Sequence, residues 1–82
     1  MALEIRSWLA NTVGCGPDDL RFAGSDVRRA DNVTVRFTLD GRPGYAVQIR
    51  ERASFIRRRF WELTAEWPAG SRTTIVRERP DW

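Results

Sequence analysis

The sequence contains no lysine and no histidine, and it has a single cysteine, Cys15. The side chains that most often act as general bases, Schiff-base formers or phosphate-binding cations are therefore missing. One cysteine cannot form an internal disulfide, and without histidine it cannot complete a zinc site within the chain. We expect a protein that is not an enzyme and that binds no metal and no cofactor.

Long apolar runs are missing as well. No stretch approaches the roughly 18 residues of a membrane-spanning helix, and the N-terminal MALEIRSWLA lacks a secretory pattern because Glu4 and Arg6 interrupt it. We expect a cytoplasmic protein without a membrane partner. A chain of 82 residues is long enough for one core, so residues 1–82 are expected to form a single small globular domain.

The basic residues are all arginine, 14 in number, and two interpretations of this bias stay open. One is the codon usage of a bacterial or phage genome rich in G and C. The other is a functional demand for planar guanidinium groups that bind in bidentate fashion. The net charge of +3 arises within residues 50–82, because residues 1–49 hold six arginines and six acids. The basic character is therefore local.

The start of the chain predicts a short helix followed by a loop. Ile5, Trp8 and Leu9 recur at spacings of three and four, which indicates an amphipathic helix over residues 3–11. The glycines and the proline of residues 14–17 end it. The adjacent acids Asp18 and Asp19 lack the spaced partners of an oxygen-ligand metal site, so we assign them to turn or helix-start chemistry.

Three strands are predicted next. Apolar residues alternate with polar ones at 20–22, resume near Val27 after a bend or bulge, and alternate clearly over 33–39 and 45–49. The intervening DGRPG is a turn sequence. We expect Leu39 to face Tyr45 across this five-residue loop, which keeps the apolar residues of both strands on one face.

The segment after this hairpin predicts a second helix. Ser54 is suited to cap its N-terminus, and Ile56, Phe60, Leu63 and Trp67 recur at helical spacing before a terminating proline. The following RTTIVRER predicts a last strand at a sheet edge. The order α-β-β-β-α-β predicts an α+β two-layer sandwich, with an antiparallel sheet of three to four strands and the helices packed on one face.

Three consecutive arginines lie in the first turn of this predicted helix. Cations there oppose the helix dipole by about 0.3–1 kcal/mol each, so helix stability does not explain them. Helical periodicity places Arg58 and Arg59 opposite the core, with Arg57 and Trp61 at its border. A solvated charged face is one interpretation, and a contact surface is the other. The predicted binding surface consists of Arg57, Arg58, Arg59 and Trp61, supported by Arg50, Arg52 and Arg36.

Two kinds of partner fit such a surface. Arginine and tryptophan are enriched at protein interaction hot spots, and the charge is small, local and mixed with aromatic residues, which favours a protein or nucleoprotein target. The alternative is DNA or RNA bound through its phosphates. In support of this alternative, the helix–three strands–helix order over residues 3–67 resembles the double-stranded RNA-binding domain. That family places a lysine-rich motif at the start of its second helix, where Arg57–Arg59 stand here.

Small chains without catalytic residues often act as inhibitors or adaptors, including chains carried by phages and mobile elements, anti-CRISPR proteins among them. We therefore expect a non-enzymatic binding protein of this type, which acts by surface docking. A homodimer that uses the tryptophan-bearing edges and the last strand stays open as a further arrangement.

Overall fold

One antiparallel β-sheet with an α-helix against one face makes up the structure, a computed structural model that describes residues 2–29, 32–52 and 60–78. The sheet order is the chain order, and each strand is antiparallel to the next. The elements are α1 (Ala2–Val13), a 3₁₀ turn (Pro17–Asp19), β1 (Leu20–Arg29), β2 (Asn32–Leu39), β3 (Arg42–Arg52), β4 (Phe60–Trp67) and β5 (Ser71–Glu78).

The predicted second helix is wrong where the structure describes it, because residues 60–67 form strand β4. In addition to the helical spacing, Trp61, Leu63 and Ala65 alternate along this segment, and all three are buried. The strand pairs with β3 on one side and with β5 on the other, and these two ladders outweigh the helical spacing. The predicted capping residue Ser54 and the apolar Ile56 lie outside the described residues.

The predicted fold class is wrong for the same reason. An α+β two-layer sandwich with a sheet of three to four strands and helices on one face requires residues 54–67 to leave the sheet. In the structure, β4 occupies the second-to-last position of a five-stranded sheet, and the described residues contain one α-helix. The resemblance to the double-stranded RNA-binding domain depended on that second helix and ends with it.

The β2–β3 hairpin pairs two residues away from the predicted register. Phe37 is the Cα partner of Tyr45, and Leu39 pairs with Arg42. The turn is the two-residue Asp40–Gly41, with φ values of 52° and 75°. Both residues adopt the positive φ of the tight hairpin turn for which Asp-Gly is typical. Because the shift is an even number of residues, the apolar side chains still share one face, as expected.

The core lies between α1 and the middle of the sheet. Ile5, Leu9 and Ala10 of the helix are buried, and α1 packs against β3 and β4. We call the sheet surface that α1 contacts the helix-side face, and the reverse surface the open face. Buried residues that complete the core are Leu20, Phe37, Val47, Ile49, Trp61, Leu63 and Ala65.

The two edge strands of the sheet differ in regularity. The pairing of β1 with β2 is shifted between Phe22 and Gly24 and again between Val27 and Arg29. Gly24 has a φ of 127°, which glycine adopts at little cost. In contrast, β5 pairs with β4 from Ser71 to Glu78 without a shift. Bulges protect an edge from further strand pairing, so β5 is the edge that remains suited to it.

Removing the buried side chain at the centre of the helix tests the packing of α1. Leu9 is fully buried, so Leu9→Ala is expected to lower the free energy of unfolding by about 2–5 kcal/mol. Val76 is 52% exposed, and Val76→Thr is expected to change it by less than about 0.5 kcal/mol. Urea denaturation followed by tryptophan fluorescence measures both variants. Equal effects would contradict the placement of α1.

Candidate functional site

Part of the open face carries charges that compensate one another. The guanidinium of Arg36 forms an ion pair with the Asp26 carboxylate on the neighbouring strand. The Nη2 of Arg72 lies 2.5 Å from Oε1 of Glu66, its direct cross-strand partner. Such pairs stabilise a sheet by roughly 0.2–1 kcal/mol each and leave little net field. This region is therefore a stabilising surface with little attraction for a charged partner.

A row of uncharged polar side chains crosses the open face beside these pairs. Its members are direct Cα partners across successive strands. The hydroxyls of Thr64 and Thr74 lie 3.1 Å apart, and the Gln48 amide donates to Oδ1 of Asn32 over 3.3 Å. The row consists of Thr34, Gln48, Thr64 and Thr74.

Arg36 is separated from the other predicted site residues. Its Cα partner on β3 is Ala46, four residues before Arg50, which corresponds to roughly 13 Å along the strand. It is also engaged by Asp26. The structure therefore does not bring Arg36 together with Arg50. Arg36 instead takes part in the ion pairs of the open face.

Arg50 and Arg52 lie at one end of the sheet. Arg50 is exposed, with Asn32 and Glu62 as its Cα partners, and Arg52 pairs with Phe60 at the last described position of β3. The triplet Arg57, Arg58 and Arg59 follows in the chain and lies outside the described residues. The structure thus brings Arg50 and Arg52 together.

Trp61 has a different place from the one expected. It was predicted at the border of the core, on the binding surface, but its side chain is 9% exposed and belongs to the core cluster on the helix-side face. The reason is the strand conformation, since alternation places Trp61 on the same face as Leu63. Its ring therefore supports the end of the sheet from within the core.

The antiparallel order adds three arginines that sequence reasoning did not select. Strands β1, β3 and β5 all run toward the same end of the sheet, so Arg28, Arg29 and Arg77 lie at the end that holds Arg50 and Arg52. We call these five residues the basic end. The sequence segments 28–31, 50–62 and 77–82, which start at these strand ends, hold nine of the 14 arginines and five of the 11 acids.

Next to the basic end, the helix-side face leaves apolar residues uncovered. One cross-strand row runs through Val27, Val33, Ile49, Leu63 and Ile75. Its central members are buried beneath α1, whereas Val27 is 68% exposed. On the same edge strand Phe22 is 64% exposed and packs edge-on against Phe37, with ring centroids 6.4 Å apart. We call Phe22 and Val27 the apolar strip; Val27 is next to the basic end, whereas Phe22 lies toward the opposite end of β1.

Cys15 and its neighbouring acids form the turn between α1 and β1. The Cys15 and Gly14 amides both donate to the Ala10 carbonyl, and the Gly16 amide donates to Oδ2 of Asp19 over 3.0 Å. This bond confirms the assignment of Asp19 to turn chemistry. Burial, and after it the charge of Asp19, raises the pKa of the Cys15 thiol. The thiol is therefore less ionised than a free cysteine at neutral pH.

Comparison of the chain with protein-family models, with curated proteins and with solved structures finds no match. Across residues 2–29, 32–52 and 60–78, no helix is long and apolar enough to cross a membrane. The same residues contain no group of three or more His, Cys, Asp or Glu side chains placed to hold a metal ion. The basic end and the apolar strip are the candidate site.

The raised pKa of Cys15 can be tested by alkylation. Asp19→Asn keeps an oxygen that can accept the Gly16 amide but removes the negative charge, so the thiol pKa is expected to fall. Reaction with iodoacetamide below the thiol pKa should then be faster in the variant than in the wild type. Asp26→Asn, at a carboxylate paired on the open face, is the control. An unchanged pH profile in Asp19→Asn would contradict the electrostatic contribution of Asp19.

Proposed function

We propose that this chain is a non-enzymatic binding protein, of the inhibitor or adaptor type, that docks on a protein or nucleoprotein target through its basic end. The non-enzymatic character is inferred from the sequence, which contains no His and no Lys. The docking role is inferred from the surface. The predicted triplet Arg57–Arg59 remains part of the proposal, since these residues connect β3 to β4 in the chain.

The observation that carries the proposal is the juxtaposition of arginines and an exposed apolar side chain, that of Val27, at one corner of the sheet. Val27 is followed directly by Arg28 and Arg29, and all three side chains are exposed. Among the described residues, these two arginines and Arg50 have no ion-pair partner. Arginines beside exposed apolar side chains are typical of protein interfaces, where a few such residues supply most of the binding energy.

The distribution of acids favours a protein target over free nucleic acid. A nucleic-acid interface is strongly positive and tracks phosphates over an extended surface. In this chain Glu51 and Glu62 stand in the strands between the arginines of the basic end, and the open face beyond them is compensated by ion pairs. The exposed side chain of Val27 beside the arginines also has no role in binding phosphates.

Titration with nucleic acid separates the two kinds of partner. We expect the chain to show only weak affinity for double- and single-stranded DNA and RNA, because the positive surface is small. If four arginines did contact phosphates, affinity would fall about a hundredfold between 50 and 200 mM salt. Fluorescence polarisation at both salt concentrations measures this. Tight binding at low salt with such a salt dependence would replace the protein proposal by the nucleic-acid alternative.

Variants that remove positive charge from one or the other end of the sheet test the docking surface. The double variant Arg29→Gln/Arg50→Gln is expected to weaken binding to the target protein about tenfold or more, because arginines at interfaces often contribute that much to affinity. Arg21→Gln/Arg42→Gln removes the same charge from exposed positions near the opposite end and is expected to leave binding unchanged. Chemical cross-linking in the source cells identifies the target, and calorimetry with the purified target gives the affinities. Equal affinities for both double variants would exclude the basic end.

A further inference from the structure

Strand β5 presents an undistorted edge. It pairs only with β4 in the described sheet, and all of its residues from Ser71 to Glu78 are in continuous register. Its outer side therefore carries a regular row of backbone N–H and C=O groups. An edge of this kind accepts an additional strand from a partner, and the main-chain hydrogen bonds supply affinity with little dependence on sequence.

A groove runs beside this edge and supplies the side-chain contacts. Its volume is about 540 Å³, and Arg77 of β5 forms one wall. Glu4, Ser7, Trp8 and Asn11 form the other wall, at the three- and four-residue spacings of one helical face. Trp8 is half-buried and packs against the core, so it offers a fixed apolar surface. The groove combines one apolar side chain, that of Trp8, with a cation.

We propose that β5 and this groove bind an extended segment of a partner protein that carries an acidic residue two positions from an apolar one. In an added strand, alternate side chains face the helix side, opposite Thr73, Ile75 and Arg77. An apolar residue opposite Ile75 faces the helix side, where Trp8 lines the groove. An acidic residue opposite Arg77 pairs with an exposed guanidinium that has no ion-pair partner among the described residues. This surface shares Arg77 with the basic end, but the groove and the strand edge lie on α1 and β5, at the opposite edge of the sheet from Val27, Arg28 and Arg29.

The carboxylate of Glu4, which also lines the groove, does not cancel the preference for an acidic residue opposite Arg77. Directly opposed residues on neighbouring strands have Cβ atoms about 4.5–5.5 Å apart, so a residue opposite Arg77 is held next to it. Glu4 lies on the helical wall, across the groove, and is exposed to water. Water screens the longer interaction more strongly than the shorter one. The carboxylate of Glu4 thus restricts where an acidic side chain can lie, and it favours the strand wall.

A second copy of this chain fits the groove less well. In an antiparallel pair of β5 strands, each helix-side residue faces a helix-side residue of the other strand. Those residues are Ser71, Thr73, Ile75 and Arg77. Within the described strand they include no carboxylate, so pairing of these residues with one another leaves Arg77 without an acidic partner. An acidic peptide satisfies Arg77, and for this reason we assign the edge to a different protein.

The peptide Thr-Glu-Thr-Leu-Thr-Val-Thr, labelled with fluorescein, tests the proposal. Its order suits antiparallel addition, with Glu opposite Arg77 and Leu opposite Ile75. We expect it to bind the full chain about tenfold more tightly than the same peptide with Lys in place of Glu, because an attractive cross-strand pair is exchanged for a repulsive one. Fluorescence polarisation gives both affinities. Equal affinities, or no binding of either peptide, would overturn the assignment.

Two variants and one modified peptide locate the interaction. Arg77→Gln is expected to abolish the preference for the acidic peptide, whereas Arg72→Gln, on the open face of the same strand, should retain it. N-methylation of alternate peptide residues on the edge-facing side should remove binding, because it blocks strand addition. Persistence of binding after N-methylation would refute the strand-addition mode. Sedimentation measures self-association of the chain. If the chain self-associates, if Arg77→Gln does not change this, and if self-association prevents peptide binding, the edge would be assigned to a second copy.

Discussion

A single helix of twelve residues has to cover a sheet of five strands, and the surface of the molecule follows from this mismatch. The helix is about 18 Å long and packs on β3 and β4. Burial is complete at Val47 and Ala65 in the centre, and it declines toward both edges. On the β1 side the shortfall exposes Phe22 and Val27. On the β5 side it leaves a groove between Trp8 and Arg77.

The arginines divide into two groups by topology. Away from the basic end, Arg36 and Arg72 pair with carboxylates on adjacent strands and stabilise the open face. At one end, three alternate strands finish in arginine-rich sequences that are far apart in the chain. Charge is concentrated there because of the strand order. Arg29 and Arg50 are distant in the sequence, but each is a Cα partner of Asn32 on β2. The positive net charge of residues 50–82, read from the sequence alone, captures only part of this spatial grouping of arginines.

Parts of the fold were predictable from short-range patterns, and the rest depended on distant partners. The first helix and the alternating strands β2 and β3 have one clear periodicity each, and the structure confirms them. Residues 60–67 satisfy both a helical and an alternating pattern, and only the flanking strands decide between them. Bulges in β1 break its alternation, which hid its length. The exposure of Phe22 and the grouping of Arg28 with Arg50 require knowledge of strand order, so the sequence pattern could not reveal them.

The bulges of β1 also bear on how large an assembly the sheet can form. Open-ended filaments need two complementary edges, so that each subunit can receive one neighbour and offer itself to the next. Here the displaced residues around Gly24 interrupt one of those edges. Growth by strand pairing is therefore one-sided, and it stops after a single event, whichever chain pairs with β5. A regular, β-branched edge strand such as β5 would favour fibril formation if both edges of the sheet were alike. The irregular β1 at the opposite edge restricts strand pairing to complexes of finite size.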